Sequence, residues 1–294
     1  DARPRRRAGD MMRSRSAGKH RVPGREDRDL RLRAALEALY ARAQDRSLVT
    51  PDPLSALYAY GEARDREIAG LVAAALGYGR ARAIERSVAR ALLPMGPHPR
   101  AWLDAASRRD LGIAFRGLRH RWTRAADLSA LLWGARAACA RHGSLGGCFA
   151  AHLRPADPDV LPALSGFVRE IVASGGARAA RVLPDPARGS ACKRLLMYLR
   201  WMVRRDAVDP GGWKGVDPAL LVVPLDVHMH RVCRLLGFTR RRTADLRAAR
   251  EATARFRRIA PRDPVRYDFA LTRPGIRDGW RGKGLPFLSV PARG

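Results

Sequence analysis

The segment GSACKRLLMYLRWMVR, residues 189–204, carries the clearest periodicity in the chain. On a helical wheel Cys192, Leu195, Leu196, Leu199, Met202 and Val203 share one face, the spacing of an amphipathic helix packed on a core. Lys193, Met197, Arg200 and Arg204 form a stripe away from that face. Ser190 stands where an N-cap is expected, which puts Lys193 in the first turn. The stripe has two readings: a solvated basic face, or the wall of a cleft with a lysine near a helix N-terminus. The positive end of a helix dipole disfavours a protonated amine, and a Schiff-base nucleophile requires the neutral form. Lysine is scarce here. Lys19, Lys193, Lys214 and Lys283 are the four lysines among 57 basic residues, so arginine is the default cation and a lysine is the exception.

The same periodicity continues on either side. Leu30, Leu32, Ala35, Leu36, Leu39 and Tyr40 share a face. Ile68, Leu71, Val72, Ala75 and Leu76 repeat it, with Gly77 and Gly79 closing that helix. Segments near 82–93, 125–141, 158–174, 227–236, 243–258 and 263–271 also read as helical. Pro/Gly clusters such as Pro94-Met95-Gly96-Pro97, Pro184-Asp185-Pro186 and Pro210-Gly211-Gly212 separate them. No alternating strand pattern and no internal repeat is evident. The expected fold class is all-α, about ten helices over residues 27–277. Residues 1–26 hold nine basic residues and almost nothing apolar. Such a stretch cannot offset its ordering entropy by burial and reads as a disordered basic tail. It is either a phosphate-contacting arm or a misread upstream start, because Asp1 is not methionine and Met11 and Met12 follow. Residues 278–294, rich in Gly, Pro and Arg, read as an irregular C-terminal tail.

A length of 294 residues with 46% hydrophobic content suits one large or two small domains with a real core. No apolar run reaches the roughly 18 residues of a membrane-spanning helix, and no charged-then-apolar leader suggests secretion. Cys139, Cys148, Cys192 and Cys233 form no C-x-x-C pair, which leaves a zinc ribbon or iron–sulfur cluster without support. A reduced cytoplasmic compartment is the simple expectation. Abundant arginine and alanine partly reflect GC-rich coding, yet a net charge of +29 still points to a polyanionic partner. Nucleic acid is the first candidate, DNA before RNA.

A second informative segment is VVPLDVHMHRVCRLLG, residues 222–237. Asp226 follows an apolar run and a proline, and opens a helix that Gly237 ends. Asp is a favoured N-cap. A capping carboxylate is held ionised by backbone N–H groups, so the same residue is also suited to stabilise an oxocarbenium-like sugar or steer a nucleophile. His230 lies one turn on, on the side of Arg234. His228 and His230, two positions apart, point away from each other and cannot chelate one metal from a regular helix.

The octet Pro224-Leu225-Asp226-Val227-His228-Met229-His230-Arg231 resembles the segment carrying the catalytic aspartate in helix-hairpin-helix DNA glycosylases of the oxidised-guanine type. The wider pattern resembles the DUF2400 family of uncharacterised bacterial proteins. Its matching pieces are Glu67-Ile68-Ala69-Gly70, Gly77-Tyr78-Gly79-Arg80, Gly189-Ser190-Ala191-Cys192-Lys193-Arg194, Arg200-Trp201-Met202-Val203-Arg204, Pro224-Leu225-Asp226 and Asp263-Pro264-Val265-Arg266-Tyr267-Asp268-Phe269-Ala270-Leu271. Together they span roughly residues 50–277. The resemblance implies a helix-hairpin-helix glycosylase-like fold, two lobes around a cleft. It implies base flipping, Lys193 as the nucleophile that attacks C1′, and Asp226 as the carboxylate that stabilises the sugar. Tyr198, Trp201, Trp213 and Tyr267 become candidates to stack on the flipped base. Arg194, Arg200, Arg204, His230, Arg231 and Arg234 become candidates for backbone phosphates. No metal or organic cofactor is implied. The expected protein is a bacterial, cytoplasmic, nucleoid-associated monomer without a membrane partner.

Three departures accompany the resemblance. The hairpin glycines before the lysine helix are mostly absent, with Leu183-Pro184 and Gly189 as a loose substitute. The four-cysteine cluster of another glycosylase branch is missing. Pro274 stands where leucine is expected. The alternative is a non-catalytic DNA- or RNA-binding module that keeps the fold.

Overall fold

Apolar residues at helical spacing become helices along most of the chain. The structure, a computed structural model, describes residues 25–277, 279–280, 284–286 and 288. The basic tail before residue 25 and most of the C-terminal tail fall outside that range. Helices α1 (Arg25–Arg42), α2 (Ala63–Leu76), α3 (Ala81–Leu92), α4 (Pro99–Ala105) and α5 (Arg108–Ala114) come first. A two-stranded antiparallel hairpin, β1 (Arg119–His120) and β2 (Thr123–Arg124), follows. Then come α6 (Ala125–His142), α7 (Leu145–His152), α8 (Leu161–Ala180, broken at Gly176) and α9 (Lys193–Val203). The last are α10 (Val227–Leu235), α11 (Leu246–Ile259) and α12 (Asp268–Arg277).

Among the described residues the protein is all-α apart from that hairpin, in line with the sequence. Three helices went unread. α4, α5 and α7 have only seven or eight residues, too few for a periodic signal. α4 opens on Pro99 and α7 contains Gly146 and Gly147, which lower helix propensity further. α12 starts at Asp268 rather than 263, because residues 260–267 form successive turns (Asp263 N–H to Ala260 O, Asp268 N–H to Val265 O). It then runs through Pro274.

α2 lies at the centre. Its residues from Ile68 to Leu76 are all buried, and a helix apolar on every side belongs inside a protein. Burial of each Leu, Ile or Val contributes about 1.5–3 kcal/mol. Gly70 lets α9 approach: a Cβ there would sit 3.0 Å from the Tyr198 ring. The Tyr198 hydroxyl donates to the Glu67 carbonyl at 2.9 Å. α6 and α8 form the most extensive helix pair. They cross so closely that a Cβ on Gly134 would meet the Ile171 carbonyl oxygen at 2.1 Å. One continuous core joins α1 to α12. Residues 221–225 pass through it as a buried segment without regular secondary structure, which delivers Asp226 to the start of α10.

Candidate active site

Two helix N-termini meet at Lys193 and Asp226. Lys193 is the first residue of α9. The residue before it, Cys192, has a left-handed backbone (φ 48°), a conformation that strains any side chain with a Cβ. The Cys192 thiol donates to the Pro184 carbonyl at 3.2 Å and its N–H to Ser190 Oγ at 3.2 Å. The N-cap is therefore Cys192 and not Ser190, whose hydroxyl serves the turn just before the helix.

Asp226 is the N-cap of α10, as the sequence suggests. Its Oδ1 accepts the Met229 N–H at 2.7 Å. Its Oδ2 lies 3.5 Å from Lys193 Nζ. One carboxylate oxygen thus fixes the helix and the other faces the amine. The Lys193 side chain is 34% exposed and that of Asp226 15%, so solvent reaches both. Such a pair can hold a proton, neutralise a developing positive charge, or present an amine to an electrophilic carbon.

The basic stripe on α9 turns out to face a buried carboxylate network. Arg200 donates to Asp209 Oδ1 at 3.2 Å and to Asp268. Arg204 donates to Asp263 at 2.8 Å, to Asp206 at 2.8 Å and to Asp209. Both guanidinium groups are buried. They anchor α9 to α12 and to the 205–211 loop, and are not placed at a phosphate-facing surface. The wheel put them opposite the apolar face, but carboxylates receive them there, Asp206 and Asp209 from the loop after α9 and Asp263 and Asp268 from far along the chain. Burial pushes the Asp268 carboxyl up to about 6, Arg200 opposes the rise, and the nearby charge of Asp226 adds to it.

The four aromatic candidates are core residues. Tyr198, Trp201, Trp213 and Tyr267 are all buried. Trp213 Nε1–H donates to Glu67 Oε2 at 3.0 Å, beside the Leu145 and Gly146 N–H groups on the same carboxylate. The Tyr267 hydroxyl donates to Glu37 Oε1 at 2.6 Å. Burying an aromatic releases the largest apolar area, which outweighs display on a surface unless the fold holds the ring out. Among the described residues the exposed tryptophan is Trp122, at the hairpin turn. Its cue in sequence is the polar setting RHRWTR, residues 119–124.

The remaining candidates divide. The Arg194 guanidinium is half-buried, donating to the Ala75 carbonyl and lying 5.0 Å from the Tyr78 ring centre. His230 is buried, with its Nε2–H donating to the Arg241 carbonyl at 3.0 Å. Arg231 lies over the Trp280 ring. Arg234 is exposed. The His228 ring packs on Gly275 of α12. Among the described residues no group of three His, Cys, Asp or Glu side chains is placed to hold a metal ion. All four cysteines are buried thiols. A cavity of about 510 Å³, lined by residues such as Tyr60, Val88 and Leu92, draws no residue from α9 or α10. No helix among the described residues is long and apolar enough to cross a membrane.

The described residues form an all-α fold in which a lysine and an aspartate face each other at two adjoining helix starts. The chain belongs to the DUF2400 family of proteins of unknown function, whose model matches residues 52–277. Comparison with curated proteins and with solved structures gave no match.

Proposed function

We propose that this protein is a DNA-binding base-excision glycosylase with AP-lyase activity, acting on an oxidised purine of the 8-oxoguanine kind. The observation that carries the proposal is the 3.5 Å approach of Lys193 Nζ to Asp226 Oδ2. The resemblance of the segment around Asp226 to oxidised-guanine glycosylases supplies the substrate class. The charge of +29 suits a polyanionic substrate.

The chemistry uses only side chains. DNA lies against the basic surface and the damaged nucleotide is flipped toward the pair. The neutral Lys193 amine attacks C1′. The C1′–N9 bond breaks, and its electron pair leaves with the base, which takes up a proton. Asp226 offsets the positive charge on the sugar and accepts the proton from the attacking nitrogen. Ring opening gives a Schiff base. Loss of a C2′ proton then expels the 3′ phosphate by β-elimination, and water frees the lysine. The protein acts as a nucleoid-associated monomer in the bacterial cytoplasm and takes no cofactor.

A non-catalytic nucleic-acid-binding module is the second reading. It keeps the basic charge of +29 as its binding determinant and needs no chemistry at Lys193. Mass spectrometry of free base released from a duplex containing 8-oxoguanine separates the two. The parent releases the base and Lys193→Gln does not. A parent that binds the duplex and releases nothing overturns the enzymatic reading.

A further inference from the structure

We propose that the turn of the β1–β2 hairpin is a stacking platform for an unpaired nucleobase, with Trp122 as the stacking ring. The inference rests on the nucleic-acid-binding part of the reading above and not on its chemistry.

Trp122 is 60% exposed, an unusual state for so large an apolar ring. The fold holds it there. The ring stacks on Tyr78 with centroids 4.8 Å apart and planes 18° from parallel. Tyr78 is itself fixed. Its hydroxyl lies 2.8 Å from the His120 carbonyl and 2.7 Å from Thr123 Oγ1, and accepts the Thr123 N–H at 3.2 Å. His120 closes the frame, with Nε2 at 2.7 Å from the Tyr78 carbonyl and Nδ1 at 2.9 Å from Ser87 Oγ. A ring ordered before binding loses little entropy on accepting a partner.

The surroundings select the partner. Arg119, Arg121 and Arg124 of the hairpin are exposed, as is Arg80, and no acidic residue occurs from Arg116 to Ala126. The Arg121 guanidinium lies 4.7 Å from the Trp122 ring centre. Its side chain runs so close over Gly79 (φ 109°) that a Cβ there would meet Arg121 Cδ at 3.1 Å. Aromatic faces interleaved with guanidinium groups match a strand that presents flat bases on a phosphate chain. A neutral apolar protein partner has no use for the arginines. The platform is tied to the first turn of α9 through Arg194, which reaches the Tyr78 ring.

The test uses the full-length chain and a short single-stranded oligodeoxynucleotide containing 2-aminopurine, whose emission falls on stacking. Expected for the parent are tight binding and quenching. Trp122→Ala is expected to weaken binding by roughly five- to a hundredfold and abolish the quenching. Trp122→Phe retains most of both. Circular dichroism stays unchanged in each variant, and the melting temperature falls only slightly in Trp122→Ala, which loses the Tyr78 stack. Parent binding that Trp122→Ala leaves intact overturns the platform and spares the functional reading. Absence of single-stranded oligonucleotide binding by the parent overturns the platform, and absence of duplex binding as well overturns both. Binding lost with Trp122 from a parent that releases no damaged base upholds the platform and removes only the chemistry. Self-association of the parent that vanishes in Trp122→Ala, with oligonucleotide binding unchanged, makes the ring a contact between copies and also overturns it.

Discussion

Lys193 Nζ and Asp226 Oδ2 lie 3.5 Å apart although 33 positions separate them in sequence (226 − 193). The meeting depends on two local devices and one long-range one. The strained turn at Cys192 starts α9 at the lysine. The aspartate caps α10. The buried Arg200–Asp268 and Arg204–Asp263 pairs tie α9 to α12 and the turn before it, and α10 packs against α12.

The two oxygens of Asp226 have separable tasks. Asn is as good an N-cap as Asp, so Asp226→Asn retains the Met229 N–H bond and the parent melting temperature. It removes the charge that faces Lys193, and base release falls on the order of a hundredfold. Asp226→Ala loses both, with about 1 kcal/mol of stability lost as well. Chemical denaturation alongside a base-release assay checks the split. Equal activity in Asp226→Asn and the parent contradicts the assigned role.

Arg204 is a structural residue. Replacing it with methionine leaves Asp206, Asp209 and Asp263 without their shared partner. Breaking a buried ion pair from one side costs about 3–5 kcal/mol, read as a lower urea midpoint. Duplex affinity of the folded variant stays at the parent value. A loss of affinity at unchanged stability would instead make Arg204 a phosphate contact.

Stability carries a pH signature from Asp268. Burial raises its carboxyl to about 6, above the unfolded value of about 4. The folded state then holds a proton that the unfolded state has released between those limits. Its contribution to stability is full below pH 4, declines as pH rises and is gone above pH 6. Asp268→Asn lacks this titration. The parent's stability relative to the variant rises as pH falls from 7 to 4, measured by urea unfolding at each pH. A constant difference contradicts the assignment.

Much of the fold was legible in sequence, because apolar residues recur at helical spacing in long helices such as α2 and α9. Lys193 and Asp226 were legible through scarcity and capping position. Arg200 and Arg204 were misplaced as surface cations because a wheel shows where a side chain points, not what waits for it. Asp209, Asp263 and Asp268 arrive from other elements. Tyr198, Trp201, Trp213 and Tyr267 failed as stacking candidates for a related reason: aromatic content does not distinguish a core from a display surface. Trp122 escaped the sequence reading, since a two-residue strand pair leaves no periodic trace and its arginine-rich neighbours were its one cue.

Duplex affinity will depend steeply on salt. Each phosphate neutralised contributes a slope of about −0.9 to log affinity against log salt. Several arginine contacts give at least a tenfold loss between about 50 and 200 mM salt, measured by fluorescence anisotropy. Salt-independent binding contradicts a phosphate-based interface.

Borohydride trapping on a duplex carrying 8-oxoguanine, followed by peptide mapping of the adduct, tests the chemistry at its reacting atom. The predicted result is a covalent protein–DNA adduct on Lys193, absent in Lys193→Gln. An adduct mapped to another amine, or none from a parent that binds the duplex, contradicts the Schiff-base mechanism.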